Sequence, residues 1–161
     1  ATLCRLSSNG ATVPARLRLL AGHLGDSTMN ILNLATQAAA MKGWPSRREA
    51  NGDLRIEIVT QAGRSQVVNV TMATDGDRDP CAFIWSKCAD AQAKNDPWAL
   101  LRLNMQLSYG RVALKGNDII ILHSLLDRTS DLTEVGKTLF WVAKSADDLE
   151  QQTYGAYTDV L

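Results

Sequence analysis

The acidic segment at residues 75–79 is the first place where the residue types of this 161-residue chain could do chemistry. Its carboxylates stand at alternate positions, which is how a calcium-binding loop begins. Such a loop needs glycine at its sixth position and a bidentate glutamate at its twelfth, and this chain has Pro80 and Ser86 there. We therefore predict an acidic loop between two strands rather than a calcium site.

His123 is the second candidate, because a histidine can act as a general base or as a metal ligand. Ser124 follows it and Asp118 lies five residues before it. This spacing does not form a triad, because a nucleophile, its base and the orienting group must converge in space. We favour a structural histidine. The alternative is a small-molecule or metal-binding domain, or a hydrolytic domain, that uses residues 75–79 together with His123.

The tripeptide Gly136-Lys137-Thr138 imitates the end of a phosphate-binding loop. The motif needs a further glycine five residues before Gly136, where this chain has Asp131, and it must join a strand to a helix N-terminus. The tripeptide instead falls inside a predicted helix. Since no close pair of cysteine or histidine residues could begin a zinc site either, we predict no catalytic residue, no cofactor and no metal, and hence no enzyme.

Composition excludes several partner classes. Seventeen basic and seventeen acidic residues cancel, so no long-range field attracts nucleic acid or anionic lipid. No apolar run approaches the roughly 20 residues of a membrane span. Cys81 and Cys88 flank a predicted strand, which would separate them by about 20 Å, beyond the reach of a disulfide. We predict a reducing, cytoplasmic location with neither nucleic acid nor membrane as partner.

Three helices are indicated by residues that cap their N-termini. Asp26 and Ser27 are the candidates for a first helix that ends at about Lys42. Asp96, followed by proline, opens the second helix, and Asp131 opens the third.

The strands are predicted from alternating or continuous apolar runs between turn residues. They cover residues 54–60, 66–74, 82–85, 111–115 and 118–123. Residues 47–52 are predicted to be a solvated loop, and Gly116-Asn117 a tight hairpin turn. The order of helix, three strands, helix, two strands and helix predicts an α+β fold with an antiparallel sheet.

The domain prediction divides the chain once. Residues 1–26 form an N-terminal extension, and residues 27–161 form a single α+β domain. Apolar residues recur at helical spacing in the extension: Val13, Leu17, Leu20 and Leu24. We predict a short amphipathic helix that docks on the domain, and the alternative is an arm that swaps onto a second subunit.

The last predicted helix carries an apolar stripe for the core and two aromatic residues outside it. The stripe consists of Leu132, Val135, Leu139, Val142, Ala143, Ala146 and Leu149. Trp141 falls among charged residues on the polar face, with Phe140 beside it. Tryptophan is enriched at interface hot spots, so we predict a contact with a partner protein there. The alternative is that neighbouring lysine stems cover the ring.

The middle helix is apolar on nearly every side, which predicts that both its sides are covered. Its apolar residues are Trp98, Leu100, Leu101, Leu103, Met105 and Leu107. Asn104 falls within this apolar arc, and we predict that its side chain clamps a neighbouring backbone group, a ligand-binding role being the alternative. We predict a homodimer with Trp98 or Trp141 at the contact, and a protein interface that comprises Trp98, Met105, Phe140 and Trp141. The alternative is a monomer in which residues 1–26 fold back over the same surface.

Several runs between residues 28 and 152 resemble the YbjN-like proteins, which are similar to the class I type III secretion chaperones of the CesT type. The runs are Ile84-Trp85-Ser86-Lys87, Leu100-Leu101-Arg102-Leu103-Asn104, Tyr109-Gly110-Arg111-Val112-Ala113-Leu114, Asp131-Leu132-Thr133 and Ala143-Lys144-Ser145-Ala146-Asp147-Asp148-Leu149-Glu150. The resemblance implies an α-β-β-β-α-β-β-α order and a homodimeric, non-enzymatic fold whose members hold effector segments or have no assigned role.

The neutral charge departs from the secretion chaperones, which are typically acidic, so a YbjN-like module is favoured over a dedicated secretion chaperone. We therefore predict a non-enzymatic protein-binding module, chaperone-like or regulatory, that recognises a segment of a partner protein as a homodimer. Apolar grooves or a free sheet edge would receive that segment in helical or extended form.

Overall fold

The computed structural model of the protein describes residues 30–93 and 95–155. They form one six-stranded antiparallel sheet and three helices, which confirms the α+β class. In chain order the elements are α1 (Ile31–Lys42), β1 (Ser46–Arg48), β2 (Leu54–Gln61), β3 (Arg64–Thr74), β4 (Pro80–Asp90), α2 (Pro97–Leu103), β5 (Arg111–Lys115), β6 (Asp118–Leu126) and α3 (Leu132–Tyr154). The extension predicted at residues 1–26 lies outside the described residues.

The strands lie in the order β1-β2-β3-β4-β6-β5, so hairpins join all neighbours except β4 and β6. Alternation along β2 shows which face carries the core: Leu54, Ile56 and Ile58 are buried, whereas Glu57 and Val59 are exposed. Helices α1 and α3 contact each other and pack on the sheet. The largest fully buried apolar side chains of this core are Ile31, Leu34, Leu54, Ile56, Ile58, Ile84, Ile121 and Leu139.

Helix α1 begins later than its predicted caps. The Oδ1 atom of Asn30 accepts the backbone N–H of Asn33, and the N–H of Ile31 donates to Oδ1 of Asp127 at 2.7 Å. Asn30 therefore caps the helix, because asparagine serves this position as well as aspartate or serine does. Asp26 and Ser27 lie outside the described residues. The predicted stop is confirmed, since Gly43 adopts the left-handed conformation that ends a helix.

Helix α2 is shorter than predicted, and its own chain leaves it largely open. It ends at Leu103, and none of its seven residues is buried. Coverage of its outer side by a second subunit stays a prediction. Past Leu103 the backbone passes into a turn, in which the N–H of Gln106 donates to the Leu103 carbonyl at 2.9 Å. The Asn104 side chain reaches β5, where its Oδ1 accepts the N–H of Val112 at 2.6 Å. This hydrogen bond confirms the predicted clamp.

The strands differ from prediction at their ends and in number. Strand β1 lies partly within the predicted loop 47–52, and its three polar residues pair with β2 although all are exposed. Strand β4 extends far beyond the predicted residues 82–85. The prediction stopped early because Ser86 and Lys87 interrupt the apolar pattern, but both residues still pair with β6. The turn at Gly116 is confirmed, with a positive φ of 61°.

Helix α3 confirms its predicted start and core stripe. Oδ1 of Asp131 accepts the N–H of Glu134 at 2.8 Å, as in a capping box. Every residue of the stripe is buried except Leu132, which is half-buried. The tripeptide that imitates a phosphate-binding loop lies inside this helix.

Two carboxylates of α3 that the prediction had not placed in the core are also fully buried. Asp147 accepts Arg64 Nε and Thr60 Oγ1, both at 2.7 Å. Glu150 accepts Arg64 Nη2 at 3.2 Å and Gln66 Nε2 at 2.6 Å. Buried charges require such partners, and the network ties the C-terminal half of α3 to β2 and β3.

Candidate functional site

An apolar groove of about 610 Å³ lies between α1 and α3 at the end of β2. It is lined by Ala38, Met41, Lys42, Trp44, Val59, Leu132, Thr133, Gly136, Lys137, Phe140 and Trp141. A Cβ at Gly136 would lie 3.8 Å from the Cβ of Ala38, so two small residues let the helices meet closely there. The larger side chains of the groove come from the adjoining turns of both helices.

The groove exposes large apolar side chains. The Phe140 and Trp141 rings meet edge to face, with centroids 5.5 Å apart and planes at 75°. Trp141 is 46% exposed and Met41, on the facing helix, is 70% exposed. Phe140 packs against the core and is half-buried. Exposed apolar groups that cluster in a concave surface are typical of a binding site rather than of ordinary surface.

A second apolar surface lies on α2. Trp98 is 68% exposed and Met105, just past the helix, is 90% exposed. Leu101 lies between them at helical spacing, and Leu114 of β5 adds an exposed side chain across a cavity that both leucines line. We call Trp98, Leu101, Met105 and Leu114 the α2 surface.

The four predicted interface residues thus divide between two surfaces. Phe140 and Trp141 lie in the groove beside α1, whereas Trp98 and Met105 belong to the α2 surface. Helix α2 lies next to the C-terminal end of α3, where a cavity joins the two helices at Leu149 and neighbouring residues. The structure does not bring the four residues into one site.

The sheet edges are poorly suited to receive an added strand. β5 has only β6 as a neighbour. The N–H of Val112 points away from β6, because it donates to Asn104 instead. With alternate residues facing the same way, the remaining outward backbone groups of this short strand are the C=O of Val112 and the N–H and C=O of Leu114. At the opposite edge, β1 has just three residues. Occupied and short edges are devices that prevent strand addition.

His123 and the acidic loop occupy separate places. His123 pairs with Ile84 on β4. Asp79, just before that strand, is five positions from Ile84, or about 16 Å along extended chain. In the loop, Oδ1 of Asp75 accepts the N–H groups of Asp77 and Asp79, each at 2.9 Å. The structure therefore does not assemble the predicted alternative site. Within residues 30–93 and 95–155, no three acidic, histidine or cysteine side chains cluster as metal ligands.

His123 is bonded within the fold. Its Nδ1 accepts the N–H of Gly110 at 2.9 Å. Burial lowers the pKa of His123, the nearby Arg111 lowers it further, and Glu134 acts in the opposite direction. The neutral imidazole is the form that can accept this hydrogen bond, which agrees with the structural role predicted for the residue.

Cys81 and Cys88 are free thiols on one strand, as their spacing predicted. Burial raises the pKa of Cys88 to about 12, and the nearby Glu150 raises it too. Burial also raises the pKa of Cys81, with a further contribution from Asp75. Neither group has the thiolate character that nucleophilic catalysis needs.

The sequence pointed to one wall of the groove and missed the other. Phe140 and Trp141 stand out because they break the polar face of a strongly patterned helix. Met41 and Trp44 gave no such signal, since both stand at the predicted end of α1, where exposed residues are ordinary. Val59 belongs to a strand whose partner β1 was not predicted.

No protein-family model matches the chain, and no curated protein matches its sequence. The resemblance to YbjN-like proteins therefore stays a prediction that rests on the runs quoted above. Among residues 30–93 and 95–155, no helix is both long and apolar enough to cross a membrane.

Proposed function

We propose that this protein is a non-enzymatic binding module, chaperone-like or regulatory, that holds a segment of a partner protein in the groove between α1 and α3. The observation that carries the proposal is the set of exposed apolar side chains that line one concavity, with Met41 contributed by α1 and Trp141 by α3. Truncation of a central aromatic residue usually costs an interface most, so Trp141 is the expected hot spot.

The groove is a better receptor than either edge of the sheet. Strand addition needs a row of free backbone groups, and Asn104 occupies the outward N–H of Val112 on β5. A groove between helices requires no backbone pairing, because its affinity comes from buried apolar side chains. Apolar anchors of the partner segment therefore enter between α1 and α3.

The α2 surface carries the second half of the proposal, a homodimer. Trp98, Leu101, Met105 and Leu114 form an apolar patch that is separate from the groove. A two-fold dimer is the commonest way in which a small protein covers such a patch. The same proposal includes a YbjN-like assignment and a cytoplasmic location. The location is in keeping with the unpaired Cys81 and Cys88.

Selection from a displayed library of random peptides tests the groove even though the natural partner is unidentified. Peptides selected on the wild-type protein should contain large apolar residues. They should lose at least about tenfold in affinity for a Met41→Gln/Trp141→Gln variant, because two exposed anchors of the groove are removed. Both residues are exposed, so the variant should keep its fold.

Trp98→Gln/Met105→Gln is the matched control, since it also removes one tryptophan and one methionine but from the α2 surface. The selected peptides should bind this control within about twofold of wild type. Equal binding to wild type and to Met41→Gln/Trp141→Gln would show that the groove is not the receptor.

A further inference from the structure

We propose that the segment held in the groove is acidic, with Asp or Glu residues flanking its apolar anchors. This inference rests on the proposed function, because it concerns the partner of the same groove. It is drawn from the charged side chains around the apolar surface, which are all of one sign.

Two lysines line the groove and no carboxylate does. Lys42 is the last residue of α1, and Lys137 lies one turn before Trp141 on α3. Both side chains are exposed. Glu134, in the first turn of α3, is not among the residues that line the groove.

These two ammonium groups have no carboxylate partner among the described residues, in contrast to Lys87 and Lys144. Lys87 pairs with Asp90 at 2.8 Å and Asp118 at 2.9 Å, and Lys144 pairs with Asp148 one turn along α3. Within residues 30–93 and 95–155, neither Lys42 nor Lys137 has a carboxylate within ion-pair distance. Around this groove, positive charge is therefore available to a ligand.

The complementary ligand has apolar side chains for the groove and carboxylates for its rim. Charges at a rim mainly set specificity and the rate of association, while the apolar contacts supply most of the affinity. Carboxylates beside the anchors would meet Lys42 and Lys137, and lysines in the same positions would be repelled by them. An acidic amphipathic segment is thus selected over a basic one of the same apolar pattern.

A charge swap tests this preference. A peptide selected on the wild-type protein is synthesised in two forms, with its charged positions all Glu or all Lys, and each form is titrated by fluorescence anisotropy at low salt. Wild type should bind the Glu form at least about tenfold more tightly, and about 0.5 M NaCl should shrink the difference. Lys42→Glu/Lys137→Glu should reverse the preference.

The control variant Arg78→Glu/Lys115→Glu makes the same change of net charge outside the groove. It should keep the preference for the Glu form. Loss of the preference in this control would mean that only the net charge of the protein matters, and the inference would be overturned.

The remaining outcomes separate the inference from the proposed function. The two peptide forms could bind wild type with equal affinity, and neither could bind Met41→Gln/Trp141→Gln. That result would refute the acidic preference and leave the proposed function standing. If Met41→Gln/Trp141→Gln bound both forms as well as wild type, the groove itself would be refuted. A medium-chain fatty acid that displaced the Glu form and bound more tightly would assign the groove to a small amphiphile instead.

Discussion

At the scale of single residues, Asn104 protects the edge of the sheet. It stands at the C-cap of α2, and its side chain occupies the outward N–H of Val112. Sequence reasoning could identify Asn104, because an amide within an apolar arc must find a hydrogen-bond partner. It could not name Val112, since that pairing depends on how α2 lies against β5.

We expect Asn104→Ala to lower the free energy of unfolding by about 1–3 kcal/mol, because the variant leaves the Val112 N–H without its acceptor. Asn104→Asp is the control, since it keeps an oxygen at the same position and should recover most of the loss. Urea denaturation measures both. An Asn104→Ala protein as stable as wild type that has lost its peptide binding would mean that Asn104 belongs to a binding site.

His123 should make the stability of the protein depend on pH. Burial holds the pKa of His123 in the folded protein below its ordinary value of 6.5. Between these two pKa values the unfolded chain binds more protons than the folded protein, so stability falls as the pH is lowered through this range. The contribution of His123 to stability is therefore present above about pH 6.5 and is lost as the pH falls through the pKa of the folded protein.

A comparison with His123→Asn isolates this contribution, because asparagine offers an acceptor that does not titrate. The difference in unfolding free energy between wild type and variant should shift against wild type when the pH is lowered from about 7.5 to about 5. A difference that stays constant over this range would contradict the assigned burial and the hydrogen bond from Gly110.

At the scale of elements, α3 is fixed to β2 and β3 by charge as well as by its apolar stripe. Arg64→Ala should cost about 3–5 kcal/mol, because it leaves the buried carboxylates of Asp147 and Glu150 without this cation. Arg47→Ala is the matched control: its ion pair with Glu49 is exposed, so its removal should cost less than about 1 kcal/mol. Equal losses in the two variants by urea denaturation would mean that the network contributes nothing specific.

Elements with a strong local signal were predictable, and those fixed by tertiary pairing were not. Helix α3 has a cap, a stripe and a length that agree with one another, and its start at Leu132 was found from Asp131 with Glu134 three residues on. Strand β1 has no apolar residue, so only its pairing with β2 reveals it. Helix α2 looked longer because apolar residues continue past Leu103, whereas the backbone passes into a turn there.

At the scale of the whole molecule, we expect the groove to bind peptide and the α2 surface to form the dimer. Light scattering at micromolar concentration should give twice the mass of one chain for wild type. Trp98→Gln/Met105→Gln should give the mass of one chain, because it makes the α2 surface polar. Met41→Gln/Trp141→Gln should remain a dimer. A wild-type protein with the mass of one chain would refute the dimer.

The sequence could indicate which apolar residues lie at the surface but not how they are grouped. Phe140, Trp141, Trp98 and Met105 were identified as surface apolar residues, yet their division into two sites depends on where α2 lies along α3. The groove also needs a second wall from α1, and no pattern in the sequence places Met41 in one groove with Trp141. Such long-range placement is decided by packing, which periodicity does not encode.

Nuclear magnetic resonance gives the most direct test of the groove as the receptor. A selected peptide is titrated into ¹⁵N-labelled protein and the changes in backbone amide shifts are mapped on the fold. We expect the largest changes in residues 38–44, around Val59 and in residues 132–141. Largest changes on the α2 surface or along β5, with the groove unaffected, would contradict this expectation.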